Sequence, residues 1–306
     1  MIEFNTEGTL IDTVQNRFNL SSQANLAQAC ANKTIVEARA IVCDSSHNLI
    51  VDLICMKGII PREEGAIGIK EGVVRDIAVI SRVNRPVCFI IQNFSVDENN
   101  NTIAILSRRE AQLICCENYI NTLRCGDIIN AKITHLESFG AFADIGCGIV
   151  ALMPIDTISV SRIEHPSERF CVGMDIKAIV KNIDNGRISL SHKELLGTWE
   201  ENANNFKVGE TVAGIIRSVE DYGAFIELTP NLAGLAETKQ GIIPSQKASV
   251  FIKNIIPEKM KIKLIIIDTF DYEYKPNVPK YFYKEDYISS FLYSPVQSSK
   301  VIETIF

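Results

Sequence analysis

Phe139-Gly140-Ala141-Phe142 and Tyr222-Gly223-Ala224-Phe225 set two aromatic rings three residues apart around a glycine, twice in one chain. Strand alternation sends Ala141, Ala143 and Ile145 to one face and Phe142 and Asp144 to the other. The same alternation opposes Ala224, Ile226 and Leu228 to Phe225 and Glu227. The glycine between the rings permits a sharp bend or bulge. Large aromatics on a solvated face form a platform on which unpaired bases stack, each worth about 1–3 kcal/mol. A lone phenylalanine on a polar face is more often covered by a loop or a neighbouring module. A pair repeated in two modules shifts the balance towards a surface that binds.

A stacking platform needs cations for phosphate. Lys132 shares the outward phase of Asn130 and Thr134, and Lys181, Arg187 and Lys193 follow on later segments. Arg217, Lys253, Lys259, Lys261 and Lys263 supply the equivalent charge further on, with Lys261 and Lys263 alternating with Ile262 and Leu264. For any one of these lysines an ordinary solvated strand face is the competing explanation. Between Gly126 and Glu194 nine acidic residues face seven basic ones, and between Lys207 and Asp268 eight basic face seven acidic. Affinity for nucleic acid would then rest on stacking plus a few phosphate contacts, with a modest salt dependence.

The elements that must hold these residues are short strands in duplicated modules. Gly126 and Gly209, Phe142 and Phe225, and Leu152 and Leu235 all match at an offset of 83. Residues 127–136, 174–183 and 186–191 read as strands around an aromatic-Gly-Ala-Phe strand, and 210–219 repeats the first of them. Asn185-Gly186 is a hairpin signal. About five strands in roughly 70 residues suit a small closed barrel. Ser191-His192-Lys193-Glu194 reads as a capping box opening a helix through Trp199 towards Phe206. A fainter copy precedes these two: strand-like runs at 35–43, 48–55, 74–82, 86–94 and 102–106 end in Leu106-Ser107-Arg108-Arg109-Glu110, which matches Leu190–Glu194 at an offset of 84. Ser21 or Ser22 caps a helix over Ala24–Ala31 ahead of it.

The expected organisation is an N-terminal extension (1–19), a diverged module (20–115), a module at 120–198, a partly diverged module at 203–268 and an aromatic-rich extension (269–306). That extension carries six of the eight tyrosines and is too aromatic for a disordered linker. It folds back on the third module or docks on a partner.

With the FGAF run, the Gly146-Cys147-Gly148 turn and the closing Asp184-Asn185-Gly186-Arg187-Ile188-Ser189-Leu190-Ser191, residues 126–194 resemble the S1 RNA-binding domain family. The third module resembles it through Gly234-Leu235-Ala236-Glu237 and then diverges. The whole chain resembles the short, three-module relatives of the ribosomal protein S1 family found in Firmicutes. The resemblance implies an all-β fold of tandem five-stranded OB-fold barrels with short linking helices. It also implies RNA lying across Phe139, Phe142, Asp184 and Arg187. Pro154 stands where that family has a histidine. The third module offers Tyr222 and Phe225, with Glu237 at the histidine position and no Asp-x-Gly-Arg hairpin, so Lys261 and Lys263 take over the cationic role. The first module has Asp44-Ser45-Ser46-His47 where the aromatics should be; the resemblance implies a docking role for residues 20–115.

Bulk properties set the bounds. A net charge of −6 argues against non-specific electrostatic binding to nucleic acid or anionic membrane, but leaves room for a local groove. No apolar run has the length of a membrane span, and residues 1–20 lack a signal peptide's apolar stretch. Nine cysteines without Cys-x-x-Cys spacing read as reduced thiols of a cytoplasmic protein. Neither a metal-ligand pattern, a nucleophile–base pair nor a phosphate loop can be read, so no cofactor, no metal and no enzymatic activity are expected. Two functions remain. One is a single-stranded RNA-binding protein of translation or RNA metabolism. The other is an adaptor that docks on the ribosome or other RNA-machinery proteins mainly through protein contacts.

Overall fold

The computed structural model describes residues 4–271 and 278–306. It confirms the all-β expectation: the strands form three closed five-stranded barrels of the OB type. The first contains β1 (Val36–Cys43), β2 (Leu49–Asp52), β3 (Lys57–Ile60), β4 (Pro86–Val96) and β5 (Thr102–Ser107). The second contains β6 (Ile128–Glu137), β7 (Gly140–Asp144), β8 (Val150–Pro154), β9 (Asp175–Asp184) and β10 (Arg187–Ser191). The third contains β11 (Thr211–Glu220), β12 (Gly223–Thr229), β13 (Leu232–Ala236), β14 (Lys247–Ile256) and β15 (Lys261–Phe270). In each, the third and fifth strands run parallel and close the barrel, as β3–β5, β8–β10 and β13–β15. Alternation fills the interiors: Ile129, Ala131, Ile133, Ala141, Ala143, Met153 and Leu190 are buried in the second barrel.

The chain divides into two compact units, Met1–Leu123 with Asp144–Val150, and Arg124–Ala143 with Ala151–Phe306. In the first unit, α1 (Val14–Leu20) and α2 (Gln23–Ala31) precede the barrel, and Ser22 caps α2 by accepting from Asn25 N–H. Ser107 caps α4 (Arg108–Asn118) in the same manner through Glu110 N–H. Residues 74–82 are not a strand. They form turns and the single-turn helix α3 (Ile77–Ile80), with Val79 turned into the core of the barrel. A buried charge cluster pins the N-terminal segment to this unit. Arg108 clamps Glu7 at 2.6 Å, Asp144 accepts Glu7 N–H, and Glu37 accepts the N–H groups of Gly8, Leu10 and Ile11.

In the second unit the helix expected over 191–206 is broken. Ser191 and Glu194 do bond, but the turn they open ends at Leu196. Gly197 then takes φ +86°, a left-handed conformation suited to glycine, and Thr198 starts α5 (Trp199–Ala203) with its own capping box through Glu201. The C-terminal segment folds back on both neighbouring modules rather than on the third alone. Ile288 packs on Ile179 and Leu195, while Tyr293 enters the core of the third barrel and donates to Asn231 O at 2.6 Å. Its last strands, β16 (Ser290–Leu292) and β17 (Glu303–Ile305), pair as a small hairpin. Tyr272 and Tyr274, counted in the aromatic extension, lie outside the described residues.

Candidate nucleic-acid interface

Both aromatic pairs stand together on the outer faces of their barrels. The Phe139 and Phe142 ring centroids are 6.0 Å apart at 88°, and those of Tyr222 and Phe225 are 6.2 Å apart at 87°. Such edge-to-face pairs lock each ring's orientation while leaving a face open. The leading ring of each pair sits at a hairpin tip and is well exposed, Phe139 at 55% and Tyr222 at 70%, while Phe142 and Phe225 are half-buried. The intervening glycine is required by a neighbouring strand. A Cβ on Gly140 would strike Met153 O and Pro154 Cα, and one on Gly223 would lie 2.7 Å from Ala236 O.

Register extends each pair into a row. In the third barrel Ser218 opposes Phe225, Phe225 opposes Leu235, and Leu235 opposes Lys263. In the second barrel the Ile155 N–H bond to Phe139 O fixes the β7–β8 register so that Phe142 falls beside Leu152, and Leu152 opposes Ser189. His135 completes that row from β6, its ring stacked over Phe142 at 6.3 Å, with Nε2 2.6 Å from Glu137. The 83-residue offset pairs His135 with Ser218, so the repeat contained the signal, but no residue similarity marked it. In the first barrel the corresponding row is Val42, Ile50, Ile59 and Ile105, entirely aliphatic.

The cations divide into two groups. Arg187 pairs with Asp184 across the Asn185-Gly186 turn, where both turn residues have positive φ, and all four are exposed. Lys261 and Lys263 are exposed, and Lys263 lies in the Phe225 row itself. Lys132 is held by Asp175 at 3.3 Å and is largely covered. Arg217 is not a surface donor at all. It is buried against Glu227 at 2.7 Å and against Glu168.

The two carboxylates assigned to the wet face are also buried. Asp144 accepts from Glu7, Gly146 and Gly148 N–H in the first unit, and desolvation with the nearby Glu7 charge pushes its pKa up to about 6. Glu227 lies at a register shift in β12 and accepts from Arg169 at 2.5 Å. Simple alternation fails at both, because each is satisfied by partners distant in sequence. The outer faces are therefore less acidic than alternation implied.

Residues 122–193 match the family model of the S1 RNA binding domain. The small ribosomal subunit protein bS1 of Staphylococcus aureus (strain COL) is 28% identical over 293 residues, covering 89% of this chain and 72% of that protein. The bS1 homolog of Bacillus subtilis (strain 168) is 32% identical over 157 residues, 50% of this chain and 40% of that one. Among solved structures, a multidomain protein with nucleic acid binding domains from Streptococcus pneumoniae TIGR4 aligns over 77% of this chain and 74% of its own, with 11% identity and a TM-score of 0.26. GSP13 from Bacillus subtilis aligns over 23% of this chain and 55% of its own, with 26% identity and a TM-score of 0.22. Residues 122–193 thus carry the S1 RNA-binding domain, in a chain similar over most of its length to bS1 proteins.

Proposed function

We propose that this protein binds single-stranded RNA in the cytoplasm and acts in translation, stacking bases on the Phe139/Phe142 and Tyr222/Phe225 platforms. The observation that carries the reading is the recurrence of one edge-to-face pair, half open to solvent, at the same place in two barrels. Asp184, Arg187 and Lys132 contact the strand around the second barrel, and Lys261 and Lys263 around the third. The S1 domain match and the ribosomal relatives support the RNA and translation parts of the reading. No catalytic role is assigned to any residue.

Fluorescence anisotropy with a labelled unstructured RNA of about twenty nucleotides, beside the same RNA as a duplex, tests this. Wild type should prefer the single strand. Phe139→Ala/Phe142→Ala should weaken binding about tenfold or more, and Tyr222→Ala/Phe225→Ala less. Equal binding by wild type and both double variants removes the platform reading.

A second reading, docking on the ribosome or other RNA-machinery proteins through residues 20–115, is favoured by the aliphatic row of the first barrel. Ile50→Asp/Ile59→Asp should then abolish cosedimentation with small ribosomal subunits while leaving RNA affinity unchanged.

A further inference from the structure

A carboxylate stands at the same register beside both aromatic platforms, where it repels the phosphates that stacked bases carry. Glu137 closes β6 two residues after His135, and Glu220 closes β11 two residues after Ser218. Each directly precedes the two-residue turn that ends in the leading ring, Ser138-Phe139 or Asp221-Tyr222.

An acidic side chain before a turn ordinarily caps the amides of that turn, and the first barrel does this. Asp44, two residues after Val42, accepts from the Ser46 and Asn48 N–H groups at 2.8 Å and from Asn48 Nδ2 at 2.9 Å. Glu137 and Glu220 cap nothing. The Glu137 side chain is 45% exposed, and among the described residues its carboxylate is bonded by His135 alone, at 2.6 Å. Glu220 is exposed, and its carboxylate has no partner among the described residues.

Both carboxylates border the rings. The His135 ring, stacked on Phe142 at 6.3 Å, ties Glu137 to the edge of the Phe139/Phe142 pair. Glu220 opposes Gly223, the residue after Tyr222, while Ser218 opposes Phe225. The cations lie elsewhere. Arg187 on β10, and Lys261 and Lys263 on β15, stand on the fifth strand of each barrel, and the carboxylate stands on the first. A single strand laid across such a row puts phosphate towards the fifth strand and the edge of a base towards the first.

A carboxylate accepts hydrogen bonds and donates none. Among the four bases, guanine alone offers two adjacent donors, N1–H and N2–H, on its Watson–Crick edge, which match the two carboxylate oxygens. We propose that Glu137 and Glu220 select guanine, each accepting N1–H and N2–H of a guanine stacked on Phe139 or Tyr222. This selection rests on the platform reading and adds a base preference to it.

Anisotropy of the full chain is measured with oligouridine of about twenty nucleotides and with the same RNA carrying guanosine, inosine or adenosine at isolated central positions. Inosine keeps N1–H and lacks the exocyclic amine. Wild type should bind the guanosine RNA about tenfold more tightly than the adenosine RNA, with inosine between them. Glu137→Gln/Glu220→Gln should bring guanosine to within about twofold of adenosine and leave oligouridine affinity unreduced. Both side chains reach solvent, and circular dichroism of the variant confirms that it folds.

The proposal is overturned by equal wild-type affinity for the guanosine and adenosine RNAs or by inosine matching guanosine. It is also overturned by a preference that survives in the double variant, or by an equal loss in that variant on all four RNAs. Phe139→Ala/Phe142→Ala and Tyr222→Ala/Phe225→Ala test the platforms separately. Weakened binding in these, with no guanosine preference in wild type, removes the carboxylate role and keeps the platforms. Wild-type binding in both removes the platforms and the base selection with them.

Discussion

Lys263 stands opposite Leu235 across the parallel β13–β15 pair, two strands from Phe225 on the same outer row. Ser189 holds the equivalent place beside Leu152 in the second barrel. Lys261, two residues earlier on its strand, falls where Arg187 falls. The third barrel, which lacks the Asp-x-Gly-Arg hairpin, thus puts cations at matching register from a different turn. There, Met260 in a left-handed conformation leads into β15.

This gives a quantitative expectation. Lys261→Ala and Lys263→Ala should each lower the slope of log affinity against log salt by about 0.7 for single-stranded RNA. Arg217→Ala should instead destabilise the fold, because it leaves the buried Glu227 and the half-buried Glu168 with fewer partners. Anisotropy at four salt concentrations, with a urea melt of each variant, separates the two effects.

Gly140 faces β8 with no room for a side chain, since a Cβ there would strike Met153 O. Gly140→Ala should cost about 1–3 kcal/mol and loosen the Phe139/Phe142 pair as the strands separate. Chemical denaturation measures the first. The RNA affinity of the still-folded variant measures the second, and wild-type values for both would show that the strands yield without cost.

Glu37 is buried, and desolvation followed by the neighbouring Glu7 charge raises its pKa to about 7 from an ordinary 4.5, against the pull of the Leu10, Gly8 and Ile11 amides. The folded first unit therefore holds this proton more tightly than the unfolded chain does. The associated stability is present below pH 4.5 and fades as pH rises through 7, by about 3 kcal/mol. Hydrogen exchange in first-barrel peptides should be faster at pH 8 than at pH 5 after correction for intrinsic rates, and Glu37→Gln should reduce the difference, the remainder coming from Asp144.

His192 has the opposite sign. Burial lowers its pKa to about 4 from 6.5, with Nδ1 facing Ile158 O and Nε2 3.3 Å from the Tyr281 hydroxyl. The unfolded chain takes up this proton first, so stability is complete above pH 6.5 and drains as pH falls to 4, again by about 3 kcal/mol. Exchange in the 278–306 segment should accelerate between pH 7 and 4.5. His192→Asn should flatten that dependence without altering the response of the first barrel.

What the residues disclosed in advance was local. The Asn185-Gly186 turn, the repeat of Phe142 at Phe225 and the alternation of Lys261 with Ile262 each depend on neighbours within a few positions, and each was legible. The straight helix from Ser191 was not, because its stop depends on Gly197 adopting a left-handed conformation and on Thr198 competing as a new cap. Strand character at 74–82 was misjudged because aliphatic residues on a single turn, such as Val79, are as apolar as a strand. Asp144, Glu227 and Arg217 looked solvated because one partner of each is remote in sequence: Glu7 for Asp144, Arg169 for Glu227 and Glu168 for Arg217. His135 went unnoticed because its importance comes from lying next to Phe142 across two strands.

The second and third outer rows, His135-Phe142-Leu152-Ser189 and Ser218-Phe225-Leu235-Lys263, share their Phe and Leu and differ at both ends, while the first, Val42-Ile50-Ile59-Ile105, differs from both at every place. Their inward neighbours remain small or aliphatic throughout, as Ala141, Ala224 and Leu49 do. A barrel of this design separates its grammar from its vocabulary. Four outward positions can be rewritten from greasy to aromatic to cationic while the instructions for closing the sheet stay intact. One duplicated ancestor could thereby acquire three different surfaces without having to reinvent a fold.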